Sequence, residues 1–208
     1  MTLFRRARPS PFRYITLPNL VSYLSFLCAL GAMHEAARGE WHLTGAFIAG
    51  SALADMFDGK FARLFKRSAE QGKFGAQLDS LIDVVAFGVT PLVALRMLAF
   101  ATTEAGKWWW GICASAYLLA TVTRLGYFNV HQAAPGKSVF VGLPTTFVGM
   151  LWGILYLWTG TMTWGPALFL VFAFLMLLPV EFDRPKGWAF APLPITCVVG
   201  IVANWLAR

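Results

Sequence analysis

Four aspartates stand at helical spacings in the stretch DMFDGKFARLFKRSAEQGKFGAQLDSLID, residues 55–83. Asp55 and Asp58 are three apart, and Asp79 and Asp83 are four apart, so each pair shares one face of a helix. Asp55, Asp58, Gly59 and Ala62 fall within about 100° of arc. Two antiparallel helices would aim both pairs into one space. Clustered carboxylates repel, and burying one unpaired is costly, so something positive has to stand between them. Hard oxygen donors suit Mg2+, Mn2+ or Ca2+ rather than thiolate-loving metals. Four of them suit two divalent cations, the arrangement that clamps attacking and leaving oxygens in phosphoryl transfer. Gly59, Ala62, Gly75 and Ala76 leave room for a bulky ligand, and Lys60 and Arg63 stand beside the acids as partners for a phosphate or for the acids themselves. The competing reading is a set of interhelical salt bridges, or packing through small residues, with no ligand.

The elements that must position these acids belong to a chain suited to lipid. It has 208 residues, 58% of them hydrophobic, with a mean hydropathy of +0.62. Only 13% are charged, where a soluble domain of this size carries about 25%. Apolar segments run at 18–36, 42–66, 75–101, 108–130, 140–159, 164–180 and 188–206. Six or seven of them could span a hydrocarbon core of ~30 Å, which takes roughly 20 helical residues. The expected fold is therefore all-α, a polytopic membrane helical bundle with six core transmembrane helices and a further C-terminal helix. Pro192 and Pro194 interrupt the first half of that last segment. Residues 1–17 form a basic, interfacial lead, 18–183 the membrane domain, and 184–208 the additional helix.

Charge sets the orientation. The N-terminus with Arg5, Arg6, Arg8 and Arg13, the Lys66–Lys73 connection, the Lys137 loop and the Arg184–Lys186 loop alternate with poorer connections near Arg38, Lys107 and Thr161. The positive-inside rule then places the N-terminus and the four acids on the cytoplasmic side. The net charge of +7 is a topology and headgroup signal, and nucleic acid is not an expected partner. Trp108–Trp110, Trp158, Trp164 and Trp188 mark segment ends, as interfacial belt residues do. Cys28, Cys113 and Cys197 sit in apolar runs without metal or disulfide spacing. No cleavable signal peptide is evident. His34 and His42 flank an external connection away from the acids, Arg96 snorkels from the third helix, and Glu181 and Asp183 are expected to be solvated.

The pattern D-x-x-D-G-x-x-A-R … G-x-x-x-D-x-x-x-D resembles the signature of the CDP-alcohol phosphotransferases, with Asp55, Asp58, Gly59, Ala62, Arg63, Gly75, Asp79 and Asp83 all present. One departure is the connection LFKRSAEQGKF between Arg63 and Gly75. The family's usual spacing falls on Gly72, but no aspartate follows that residue at the fourth position, so Gly75 takes the role. FGAQLDSLIDVVAFGVTP, LPNL, TRLGYFNV and FVGLPTT are further similar to the branch of that family that uses serine. The likeness covers about residues 14–183.

The resemblance implies an enzyme of the inner (plasma) membrane of a bacterium, active as a homodimer among membrane lipids, with its site facing the cytoplasm. It implies that Asp55, Asp58, Asp79 and Asp83 hold two divalent cations, Mg2+ or Mn2+, and that Asp83 is the catalytic general base. It implies that Asp58, Gly59, Ala62, Arg63, Gly75 and Asp79 bind the nucleotide and its phosphates. The expected reaction moves the phosphatidyl group of CDP-diacylglycerol to L-serine or another small alcohol such as inositol phosphate, glycerol phosphate or choline. Arg124, an arginine in an otherwise apolar segment, is the candidate for the acceptor's carboxylate; snorkelling to the interface is the alternative. Asn129 and Lys137 are the other acceptor candidates, and Thr145 offers a hydroxyl on the same face. A cation transporter would also place acids in a membrane, but it needs polar groups reaching both faces, and these gather at one end.

Overall fold

The computed structural model describes residues 10–99, 104–131, 139–158, 160–183 and 190–208. Arg5, Arg6, Arg8, Lys137, the Arg184–Lys186 loop and Trp188 lie outside these residues. Among the described residues, eight helices follow two short 3₁₀ turns, Pro11–Tyr14 and Leu17–Asn19: α1 (Leu20–Ala37), α2 (Trp41–Ala62), α3 (Ala69–Asp83), α4 (Thr90–Leu98), α5 (Glu104–His131), α6 (Thr145–Leu155), α7 (Thr161–Leu177) and α8 (Pro192–Leu206). Among the described residues the fold is all-helical apart from one two-stranded antiparallel ribbon, β1 (Val139–Val141) with β2 (Glu181–Asp183). Among the described residues two helices, Leu17–Ala37 and Ala69–Leu98, are long and apolar enough to cross a membrane, and α6, α7 and α8 are shorter apolar helices.

α2 is the central element and packs against α1, α6 and α8, while α5 packs against α7. Small residues make the closest approaches possible: a Cβ on Gly153 of α6 would lie 2.7 Å from that of Ala49 on α2. Asn204 seats α8 by donating to the Gly153 carbonyl at 3.0 Å. The core beneath the site is aromatic, with Tyr117, Trp152, Tyr156 and Phe169 fully buried.

Several boundaries differ from the sequence expectation. α3 begins at Ala69, not 75, because Ser68 and Gln71 form a capping box: Gln71 N–H donates to Ser68 Oγ at 3.2 Å and Ser68 N–H to Gln71 Oε1 at 3.0 Å. The longer connection is thus largely taken up as extra helix. The segment expected over 140–159 contributes helix only from Thr145, since Pro144 occupies the N-cap position and Val139–Val141 pairs with β2. Glu181 and Asp183 are exposed as expected, but on that strand. Gly142 turns the chain after β1 at φ +70, where a side chain would run into the Met176 carbonyl. Pro192 and Pro194 do not interrupt α8. They start it, within the first turn, where backbone N–H groups have no intrahelical partner to lose.

Between α3 and α4 the helix widens into a π-helical stretch, Val84–Val89. Pro91 has no N–H to offer the Phe87 carbonyl four residues back, and its ring crowds that carbonyl. The hydroxyl of Tyr117 on α5 donates to the Phe87 oxygen instead. Such π segments relieve a local misfit without ending a helix. This one begins on the residue after Asp83.

Candidate active site

Asp55 and Asp58 occupy the last two turns of α2, and Asp79 and Asp83 the last two turns of α3. Carboxylate oxygens of Asp55, Asp58 and Asp79 lie within 4.8 Å of one another. Asp83 is outside that close triad and deeper, 7% exposed, but lines the same cavity of about 160 Å3. Hydroxyls from other helices hold the acids. Ser22 of α1 donates to Asp58 Oδ2 at 2.9 Å, Thr146 of α6 to Asp55 Oδ2 at 2.6 Å, and Thr145 to Asp83 Oδ2 at 3.2 Å. Asp83 Oδ1 is buried with no hydrogen-bond partner. Among the described residues no salt bridge reaches any of the four acids.

Convergent, unneutralised carboxylates with an orphaned buried oxygen are an unfavourable arrangement without a cation. The donor set, oxygen throughout, fits hard divalent ions of the Mg2+ and Mn2+ kind.

Arg124 sits opposite. It is 6% exposed and lines the cavity of the acids. Its Nη1 donates to Thr145 Oγ1 at 3.4 Å, while Nε and Nη2 are buried without hydrogen-bond partners. The rings of Phe128 and Phe140 flank the guanidinium, with centroids 5.5 and 5.9 Å from Cζ. Asn129 is placed differently. Its Nδ2 donates to Ser80 Oγ at 3.0 Å, so it ties α5 to α3 beside Asp79.

Asp58, Gly59, Ala62, Gly75 and Asp79 line a second polar cavity, also of about 160 Å3, against the start of α1. Gly72 lines it too, because both glycines lie in α3 and their spacing of three puts them on one face. Arg63 is not in this lining. With Lys60 and Asp55 it borders a third cavity, of about 290 Å3, walled by Phe140, Phe147 and Phe190. There the Lys60 ammonium stands 3.3 Å from the Phe190 ring centroid.

Sequence reasoning did not single out Ser22, Thr146 or Asn19, and it named Arg67 only as one of the basic residues of the enlarged connection between Arg63 and Gly75. All four reach the acids or their cavities from outside the two acidic helix segments. The one local signal was the presence of LPNL and FVGLPTT, which hold Asn19 and Thr146, among the secondary resemblances.

Residues 15–178 match the CDP-alcohol phosphatidyltransferase family. A CDP-diacylglycerol–serine O-phosphatidyltransferase of Bacillus subtilis is 30% identical over 178 residues, covering 83% of this chain and 93% of that protein. Proteins of the same name from Mycobacterium leprae and Saccharomyces cerevisiae are 32% and 34% identical, covering 66% and 69% of this chain. The chain spans about half the length of those two, 46% and 52%. α8 lies beyond the matched range, whereas the two acid pairs, Arg124 and Thr145 fall inside it, and on that match the chain belongs to the CDP-alcohol phosphatidyltransferase family.

Proposed function

We propose that the protein transfers the phosphatidyl group of CDP-diacylglycerol to the hydroxyl of L-serine, giving phosphatidylserine and CMP. Family membership and the names of the similar proteins support the donor and the reaction. The observation that favours serine over choline is Arg124, with two unpartnered buried nitrogens in the cavity of the acids. A planar guanidinium fork matches a carboxylate, and leaving such a group unpaired is costly.

The acceptor hydroxyl binds next to Asp83, whose buried Oδ1 has no other partner. Asp83 takes the proton as the serine oxygen bonds to the lipid-side phosphorus, and the phosphorus–oxygen bond to CMP breaks. Asp55, Asp58, Asp79 and Asp83 would hold two divalent cations, Mg2+ or Mn2+, which when bound neutralise the pyrophosphate and the charge on the departing CMP. Thr145 orients Asp83 and anchors Arg124 with one hydroxyl, which couples base and acceptor geometry. Asp58, Gly59, Ala62, Gly75 and Asp79 receive the nucleotide. Arg63 meets a phosphate from the side of Asp55.

In this reading α1, α2, the continuous helix Ala69–Leu98, α5, α6 and α7 are the six core membrane-crossing elements. The basic residues Lys66, Arg67 and Lys73, beside the acids, support a cytoplasmic site in the inner membrane of a bacterium. The protein assembles there as a homodimer.

The test is to give the purified full chain CDP-diacylglycerol and Mg2+ or Mn2+ and measure CMP release with serine, inositol phosphate, glycerol phosphate and choline. Serine is expected to drive release. Release with another alcohol and not with serine overturns the acceptor assignment.

A further inference from the structure

Among the described residues that line the acid cavity, Phe140 alone belongs to a strand, β1, whereas the acids, Arg124 and Thr145 stand on helices. The ladder sets Phe140 opposite Phe182 of β2. Directly after β1, Gly142 N–H donates to the Val180 carbonyl and Leu143 N–H to the Leu175 carbonyl, both at 3.0 Å. Backbone bonds therefore tie the strand to the end of α7 and the chain that follows it. β2 lies beyond residues 15–178 that match the family, so part of the hold on Phe140 comes from outside the matched range.

The Phe140 ring is placed against the cation of the site. Its centroid lies 5.9 Å from Arg124 Cζ and 6.0 Å from that of Phe128, whose ring is the other flank of the guanidinium. A ring face attracts a cation without occupying its N–H groups, so the fork is oriented while Nε and Nη2 stay available to a carboxylate. Phe140 also borders the wider cavity beside Lys60 and Arg63, of about 290 Å3, and so stands between that space and the acids.

Asp83 by itself does not tell one hydroxyl from another. Water attacking the lipid-side phosphorus would give its proton to the same carboxylate, form the new phosphorus–oxygen bond, break the bond to CMP and leave phosphatidic acid. Only the surroundings can favour the alcohol, and apolar groups that exclude water suppress such side reactions. We propose that Phe140 makes the site choose the alcohol over water: its ring holds the Arg124 fork for the acceptor and shuts the acid cavity toward its wider neighbour. This rests on the reading of Asp83 as the base and Arg124 as the partner of the acceptor. Phe140 is then a positioning residue, supplied by the ribbon and not by the acidic helices.

The test gives the purified full chain CDP-diacylglycerol and Mg2+ in detergent, with and without serine, and measures phosphatidic acid and phosphatidylserine separately. Wild type is expected to form phosphatidylserine in large excess. Phe140→Ala should raise the ratio of phosphatidic acid to phosphatidylserine at saturating serine by at least about tenfold, and should form more phosphatidic acid than wild type when serine is absent. Its KM for serine should rise about three- to tenfold, as loss of a partly desolvated cation–π contact implies, with the KM for CDP-diacylglycerol unchanged. Phe140→Leu keeps apolar bulk and loses the ring, so it should raise the KM for serine and leave the product ratio near that of wild type. Both products falling in proportion in Phe140→Ala, at an unchanged ratio, would make the residue structural and overturn the proposal. An unchanged KM for serine in Phe140→Leu would overturn it too. The comparison without serine needs no acceptor, so it judges the exclusion of water separately from the choice of alcohol.

Discussion

The hydroxyl of Thr145 donates to Asp83 Oδ2 across 3.2 Å and so fixes the orientation of the deepest acid in the site. The same hydroxyl accepts from Arg124 Nη1 at 3.4 Å. Thr145→Val keeps shape and removes both contacts. A hydrogen bond to a charged group contributes about 1.5–3 kcal/mol, so kcat for CMP release should fall roughly ten- to a hundredfold, while the KM for CDP-diacylglycerol changes little. Unchanged kcat would show that Asp83 needs no such restraint.

Asp83→Asn preserves the volume of the side chain and removes its capacity to take a proton. General-base catalysis contributes about 10²–10⁴-fold, so CMP release should fall by at least about a hundredfold. Binding of CDP-diacylglycerol, read by equilibrium titration, should largely persist because Asp55, Asp58 and Asp79 remain. Normal turnover would remove Asp83 from the base role.

Arg124→Ala should raise the KM for serine at least about tenfold and leave that for CDP-diacylglycerol nearly unchanged, since the lost fork faces the acceptor side. Lysine at this position should recover only part of the loss. Steady-state kinetics with each substrate varied separately makes the comparison, and equal effects on both substrates would argue for a structural role.

Chelation with EDTA should abolish CMP release, and Mg2+ or Mn2+ should restore it. Asp55→Asn should shift the metal concentration needed for half-activity upward, because one hard ligand becomes a neutral amide. Full activity in a chelated, metal-free preparation would rule out the cation reading of the acids.

Tyr117→Phe deletes the donor to the Phe87 carbonyl that Pro91 cannot serve. The unsatisfied buried carbonyl should cost about 1–3 kcal/mol, read as a lower thermal unfolding midpoint. Trp152 Nε1, which donates to the Tyr117 hydroxyl at 3.3 Å, loses its partner in the same variant.

Much of the site was legible before any coordinates. The spacing of Asp55, Asp58, Asp79 and Asp83 is a local property of two helices, because helical pitch alone decides which residues share a face. The seven apolar segments likewise follow from composition and correspond to α1, α2, the helix Ala69–Leu98, α5, α6, α7 and α8. The capping box at Ser68 and Gln71 and the proline at position 91 were visible signals that a reading by hydropathy alone passed over. They set where α3 begins and where it widens.

What the tertiary structure decided is which side chains from distant positions meet those acids. Ser22 is 36 residues from Asp58, Thr145 is 62 from Asp83, and Thr146 is 91 from Asp55. No periodicity links such pairs; only the packing of α1, α2, α3 and α6 brings them within hydrogen-bond reach. The same packing sends Arg63 and Arg67, four residues apart in sequence, to different cavities, because α2 ends at Ala62 and the turn that follows redirects the chain before α3. Acid spacing is thus a local consequence of the sequence, and the surroundings that give each acid its own task are a consequence of the fold.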